Sequence, residues 1–259
     1  MRGGIPDVRG MLVTTTIAIT GKGGTGKTAV TALLIRHVVR GERVLLAVDA
    51  DPDTNLPDAL GDTVTRTVGD VRELILEGLP PDADKMLVLE SRIYEILTET
   101  PKYDLLVMGR PDGPGCYCYA NNLLRGIMDK VTKNYDLAII DTAAGLEHLS
   151  RRIIRNLDIL LVVTDGSRKG LLTAERIRDL AGELDLGFKK IYIILNKVTA
   201  ENRGSLQKYA SELGFEIAGT IPFDDTLADY DLVGTPLIDL PDDSEAVAEV
   251  ERIAELIGI

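Results

Sequence analysis

The chain has 259 residues, 45% of them hydrophobic, with 41 acidic against 29 basic side chains and a net charge of −12. That length suits one large α/β domain or two small ones, and it is long enough to bury a full core. The acidic balance argues against the counterion-displacing surface that non-specific nucleic-acid binding needs, and the chain lacks the run of about eighteen apolar residues that would span a membrane, so neither kind of partner is expected.

Residues 1–11 are glycine-rich and carry no apolar signal-peptide core. They read as a disordered tail, with Met11 an alternative start, ahead of a single domain over 12–259. Two cysteines and no secretion signal point to a reducing cytoplasm. Strand-like runs then follow at Val13–Thr20, Val44–Val48, Leu105–Met108, Leu137–Ile140, Ile159–Thr164, Ile191–Leu195 and Ile217–Ile221. They are rich in Val, Ile and Leu and hardly alternate, which suits parallel strands covered on both faces. Helical patterns fill the gaps, among them 27–40, 171–184, 204–213 and 244–257. The alternation predicts an α/β fold: a doubly wound, mostly parallel seven-stranded sheet with helices on both faces. The segment 78–102 is the least regular; Leu79-Pro80-Pro81 breaks it, and a short helix is expected around 92–98. The C-terminal helix carries Glu245, Glu249, Glu251 and Glu255 against only Arg252, so it lacks the basic face of a membrane-surface anchor.

Between the first strand and the first helix lies Gly21-Lys22-Gly23-Gly24-Thr25-Gly26-Lys27-Thr28. It meets the phosphate-loop pattern G-x-x-x-x-G-K-[ST] at Gly21, Gly26, Lys27 and Thr28. Gly23, Gly24 and Thr25 complete the wrap, whose backbone N–H groups turn inward around phosphate oxygens. Lys27 is expected on the β- and γ-phosphates and Thr28 on Mg2+, with the positive end of the following helix aimed at the anion.

Lys22 is a lysine that an ordinary phosphate loop does not need. The run K-G-G-T-G-K-T resembles the deviant Walker A family: the MinD and ParA ATPases, the arsenite and tail-anchored-protein ATPases, the nitrogenase iron protein and the CooC-type nickel ATPases. The resemblance implies a P-loop ATPase that forms a homodimer, in which Lys22 reaches the nucleotide of a second copy and stabilises charge on the transferring phosphoryl group.

Three later segments end strands. In Val48-Asp49-Ala50-Asp51-Pro52-Asp53, carboxylates can approach Mg2+ and the attacking water. The resemblance to switch I makes Asp51 the residue that orients or activates that water and Asp49 a holder of the metal's water shell. Asp53 reads as a turn residue, and capping or turn formation competes as a reading for all three. In Leu137-Ala138-Ile139-Ile140-Asp141, the apolar run ending in aspartate resembles Walker B, with Asp141 on a water of Mg2+ and Gly145 placed in switch II. Asn196 and Pro222 match the places where MinD-like proteins contact and cover adenine.

The two cysteines, Cys116 and Cys118, stand in Gly113-Pro114-Gly115-Cys116-Tyr117-Cys118 just after the third strand. If that segment is extended, the two side chains point the same way. Two thiolates half fill a four-coordinate metal, and a two-fold dimer would supply the rest. This C-x-C, with Gly145-Leu146-Glu147-His148-Leu149, resembles CooC-type ATPases, accessory proteins for nickel insertion into carbon monoxide dehydrogenases. The resemblance implies Ni2+ or Zn2+ shared across the homodimer and a carbon monoxide dehydrogenase client; thiolates accept both ions. Reduced packing thiols, a strained redox pair and an intersubunit iron–sulfur cluster remain open readings of the pair. The cluster reading makes the chain an electron donor or scaffold like the nitrogenase iron protein, whose second cysteine has no counterpart in 143–152. A MinD- or ParA-like positioning role is the remaining alternative, and the acidic surface weighs against it. His148 and His37 read as structural groups.

The guanine-type N-K-x-D is absent, since Thr199 stands where its aspartate would be. ATP should therefore bind at least about tenfold more tightly than GTP, equivalent to ~1.4 kcal/mol. A competition titration checks this, and equal affinities would contradict the use made of Asn196.

Overall fold

A computed structural model of the chain describes residues 14–70, 95–110, 117–144, 157–183 and 187–259. The tail 1–11, most of the irregular segment 78–102, Cys116, Gly145 and His148 lie outside the described residues, as do the side chains of 117–123.

The strands are β1 (Thr15–Gly21), β2 (Leu45–Ala50), β3 (Leu97–Glu99), β4 (Tyr103–Val107), β5 (Leu137–Thr142), β6 (Ile159–Thr164), β7 (Lys190–Val198) and β8 (Glu216–Pro222). They form one sheet in the order β3-β4-β2-β5-β1-β6-β7-β8. All pairings are parallel except β3 with β4. The described α-helices are α1 (Lys27–Val38), α2 (Leu56–Leu60), α3 (Tyr117–Val131), α4 (Arg168–Glu183), α5 (Arg203–Glu212), α6 (Asp225–Val233) and α7 (Glu245–Ile257).

Both faces of the sheet are covered, which is why its sequence does not alternate. Ile17, Ile19, Leu45 and Ala47 pack on one side with Leu34 of α1, Leu56 of α2 and Ile253 of α7. Ala18, Leu46 and Val48 pack on the other with Leu124 of α3, Leu171 of α4 and Leu206 of α5. Each fully buried Leu or Ile contributes roughly 1.5–3 kcal/mol. The sheet departs from expectation by one strand. Leu97-Thr98-Glu99, which overlaps the end of the helix expected around 92–98, instead runs antiparallel to β4, with Glu99 opposite Asp104. Three residues at a sheet edge carry no readable period, and the turn where Thr100 Oγ1 donates to the Tyr103 carbonyl at 2.7 Å decides the pairing.

The strand order reverses around β1, the switch point where α/β sheets bind ligands beyond the carboxyl ends of their strands. One long-range anchor shapes that end. Arg36 of α1 is buried. Its Nε donates to the Ile238 carbonyl at 3.0 Å and its Nη2 to the Leu240 carbonyl at 2.6 Å. These bonds fix the short 3-10 turn Leu237–Asp239 beside the nucleotide loop. The last helix, α7, is capped by Ser244, whose hydroxyl accepts from the Val247 N–H at 3.2 Å. Glu249 on its polar side accepts from the Thr220 N–H of β8 at 2.9 Å, so part of the acidic face is engaged with the sheet. Among the described residues no helix is long and apolar enough to cross a membrane.

Candidate nucleotide and metal site

The loop after β1 is held from below before any ligand arrives. Thr25 is buried, and its hydroxyl donates to the Lys22 carbonyl at 2.8 Å. Asn196, at the end of β7, donates from Nδ2 to the Thr25 carbonyl at 2.8 Å, while its Oδ1 accepts from the Lys197 N–H at 2.9 Å. Gly26 precedes α1 with φ +88°, and a Cβ there would sit 2.4 Å from Asn196 Nδ2. Glycine is required at that position both for the left-handed backbone and for the room. Helix α1 has no side-chain cap and no acidic residue in its first turn, so its leading N–H groups are left for an anion. Lys27, in that turn, is buried with 7% of its surface accessible.

Two carboxylates face each other beside this positive end. Asp49 of β2 and Asp141 of β5 are paired residues in the parallel register, and both are buried. Asp49 accepts from the N–H groups of Asp51 and Leu56, each at 3.0 Å. Burial, with the Asp141 charge added, nevertheless pushes its carboxyl up to about 7. Asp141 is pushed up to about 6 by burial, against the pull of the Thr28 hydroxyl and the Lys27 ammonium. Thr28 Oγ1 donates to Asp141 Oδ2 at 2.6 Å, whereas Asp141 Oδ1 is buried with no hydrogen-bond partner. An orphaned carboxylate oxygen beside a threonine hydroxyl and a second aspartate fits a hard divalent cation with oxygen ligands. Thr28 and Asp141, with Asp49 behind them, are the residues that would hold Mg2+.

A cavity of about 530 Å³ opens over the loop. Gly23, Gly24, Gly26, Lys27 and Thr28 form its floor and Asp51 and Asp53 one wall, while Asp231, Gly234, Thr235 and Leu237 close the far side. Asp51 thus lines the same cavity as the phosphate-loop residues. Pro222 ends β8 paired with Val198 and does not line this cavity. Asn196 supports the loop through Thr25. Its neighbour Lys197 was not singled out by sequence; it lines the cavity, has φ +56°, and donates from Nζ to the Gly24 carbonyl at 3.1 Å. The dipeptide Asn196-Lys197 is its only signal in the chain. Asp53 was read as a turn residue, and its N–H does bond to Asp51 Oδ1 at 3.0 Å. Its own carboxylate, however, pairs with Arg110 Nη2 at 2.8 Å, a contact that no motif announces.

Lys22 is exposed, and its side chain makes no hydrogen bond or ion pair among the described residues. Cys116 lies outside the described residues and Cys118 falls in the first turn of α3. Cys118 is therefore helical, where an extended segment was expected. The apolar spacing Leu124, Ile127, Met128 and Val131 has a helical period, and it sets that helix on the sheet. Among the described residues no group of three His, Cys, Asp or Glu is placed to hold a metal ion.

The family model for the CobQ/CobB/MinD/ParA nucleotide binding domain matches residues 16–237. The chain is 50% identical over 246 residues to an uncharacterised ATP-binding protein of Methanocaldococcus jannaschii, covering 93% of this chain and 97% of the relative. It is 31% identical over 266 residues to the carbon monoxide dehydrogenase accessory protein CooC of Rhodospirillum rubrum, covering 94% and 99%. In fold it is similar to the septum site-determining protein MinD complexed with Mg-ADP from Pyrococcus horikoshii, with a TM-score of 0.73 at 24% identity over 95% of this chain and 96% of that one.

The raised carboxyls make a testable demand on stability. A carboxyl whose folded pKa exceeds its unfolded value adds stability only while protonated, and that contribution fades as pH rises from about 4 through about 7. Without nucleotide or Mg2+, Asp141→Asn should therefore be more stable than the parent at pH 8, on the order of 2 kcal/mol in urea unfolding. The gain should shrink towards zero at pH 4.5. An equal gain at both pH values, or none at pH 8, would contradict a carboxyl of Asp141 raised by burial.

Proposed function

The chain belongs to the CobQ/CobB/MinD/ParA nucleotide-binding family as an ATP-binding ATPase of the MinD/ParA type, and from that premise we propose that it is a metal carrier. Two copies close around two Mg-ATP and hold a nickel or zinc ion as cargo on Cys116 and Cys118 from each. ATP hydrolysis loosens the pair and passes the ion to a carbon monoxide dehydrogenase.

The observation that carries this reading is where the two chemistries sit. Strand β2 delivers Asp49 and Asp51, and β4, hydrogen-bonded beside it, leads into the segment that opens α3 with Cys118. The nucleotide loop and the first described turn of α3, where Cys118 falls, thus belong to the same carboxyl edge of one sheet. A single face-to-face meeting of two copies would engage both. The exposed, unengaged Lys22 supports such a meeting, and the likeness to CooC supports the client.

The following roles complete the proposal, and the geometry of the site supports them. The loop N–H groups and Lys27 take the phosphates. Asp51 orients the attacking water from the wall of the cavity. Mg2+, when bound, supplies the charge that neutralises the β- and γ-phosphates and relieves the Asp49–Asp141 repulsion. Lys22 from the second copy adds positive charge where it develops on the transferring phosphoryl group.

Size-exclusion chromatography with metal analysis is the test. The parent should gain dimer on addition of Ni2+ or Zn2+, with one ion per two chains, and metal affinity should fall as pH drops below neutrality because the thiolates must ionise. Cys116→Ser/Cys118→Ser should lose both responses. One ion per monomer, or a double variant that dimerises on metal like the parent, would end the carrier reading and leave the ATPase standing. A brown dimer containing iron and sulfide would favour the electron-donor alternative.

A further inference from the structure

The cavity over the loop has two chemically different ends. Lys27 and the uncapped start of α1 make its floor favourable to phosphate. The far side, Asp231, Gly234, Thr235 and Leu237, offers a carboxylate, bare backbone, a hydroxyl and an apolar side chain. None of the four is basic. Lys197, the other basic residue lining the cavity, is drawn to the Gly24 carbonyl in the loop. Phosphate is disfavoured at the far side, and a neutral nucleoside with its hydroxyl and amine donors is the part of a nucleotide that fits there.

Arg36 sets where that far side stands. It shares α1 with Lys27, roughly 14 Å further along at 1.5 Å per residue. It is buried, and its Nε and Nη2 donate to the Ile238 and Leu240 carbonyls at 3.0 and 2.6 Å. Leu237 and Leu240 pack in one core with Val30, Leu33 and Leu34 of α1. Apolar packing has no direction along a helix, whereas two bonds from one planar guanidinium fix the turn at one place on it. Nη2 also reaches Asp242 Oδ1 at 2.7 Å, and Arg40 shares that oxygen. The Asp242 side chain is 78% accessible, so this ion pair adds little. Arg36 Nη1 is buried without a partner among the described residues, a cost that an apolar side chain of the same length would not incur. From the other side the turn is stopped by Gly61, the left-handed residue that ends α2, where an added Cβ would stand 2.9 Å from Pro236. One helix thus carries both the phosphate floor and the pin of the opposite wall.

We propose that Arg36 is a positioning residue for the nucleoside: by pinning the 237–240 turn to α1, it holds Gly234, Thr235 and Leu237 at a set reach from the phosphate loop. Arg36 itself does not line the cavity and acts through the Ile238 and Leu240 carbonyls. The loop takes phosphates with or without the pin. The wall adds affinity only for a ligand that carries a nucleoside. Arg36 has this role whether or not the protein carries a metal.

Calorimetric titration with Mg-ADP and, separately, with Mg-pyrophosphate distinguishes the two ends of the cavity. Arg36→Met keeps an unbranched buried stem and removes every donor. It should bind ADP about tenfold more weakly than the parent, while its pyrophosphate affinity stays within about twofold. Arg36→Lys can reach one of the two carbonyls and should recover part of the ADP affinity, a rescue that space filling does not explain. Arg40→Ala removes the other arginine from Asp242 and touches neither carbonyl, so both affinities should match the parent. Pyrophosphate binding reports an intact loop in each variant. If Arg36→Met does not fold, Arg36→Lys carries the comparison, with ADP alone weakened. A variant of Arg36 that loses ADP and pyrophosphate equally, or loses neither, overturns the proposal. So does an Arg40→Ala variant with the same selective loss of ADP, which would place the pin on Asp242.

Discussion

Asp49 and Asp141 stand side by side at the ends of adjacent parallel strands, buried, with one oxygen of Asp141 unsatisfied. Two carboxylates in that setting resist ionising together near neutral pH unless a cation joins them. The rest of the site is arranged around this constraint. On one side lie Lys27 and the uncapped start of α1, which favour an anion. On the other lie the two aspartates, which favour a cation. A nucleotide with its divalent ion satisfies both sides at once, and neither component alone does so.

The same pair ties together the two flanks of the site. Asp49 holds the Asp51 turn through two N–H groups, and Thr28 ties Asp141 to the loop. A change in the occupancy of the carboxylates alters what those hydrogen bonds compete with. Asn196 and Lys197 act in the opposite sense. They hold the Thr25 and Gly24 carbonyls from the β7 side.

Much of this was legible in the chain, for physical reasons. A phosphate loop needs glycines and a lysine at fixed spacing, so Gly21 to Thr28 announces itself. The parallel strands are buried on both faces, so their unbroken Val, Ile and Leu runs stand out. Asp141 ends such a run. What was not legible depends on contacts between distant residues or on elements too short to have a period. Strand β3 has three residues and is made by its neighbour. The Asp53–Arg110 pair joins residues 57 apart, and the Asn196 bond to Thr25 joins residues 171 apart. Neither pair leaves a local pattern, so the sequence gives no sign that Asn196 braces the loop. Cys116 and Cys118 are visible as a pair, but the helix that takes in Cys118 is set by apolar residues further along α3.

The central claim is that the paired carboxylates retain a proton near neutral pH and give it up when the cation arrives. Calorimetric titration of the parent with Mg2+ and ADP, repeated in buffers of different ionisation enthalpy, counts that proton directly. At pH 6.5 the parent should release roughly one proton more than Asp141→Asn, and the excess should fade by pH 8.5, where both carboxylates are already ionised. Equal proton release by parent and variant at pH 6.5 would show that Asp49 and Asp141 are not held in tension by the fold.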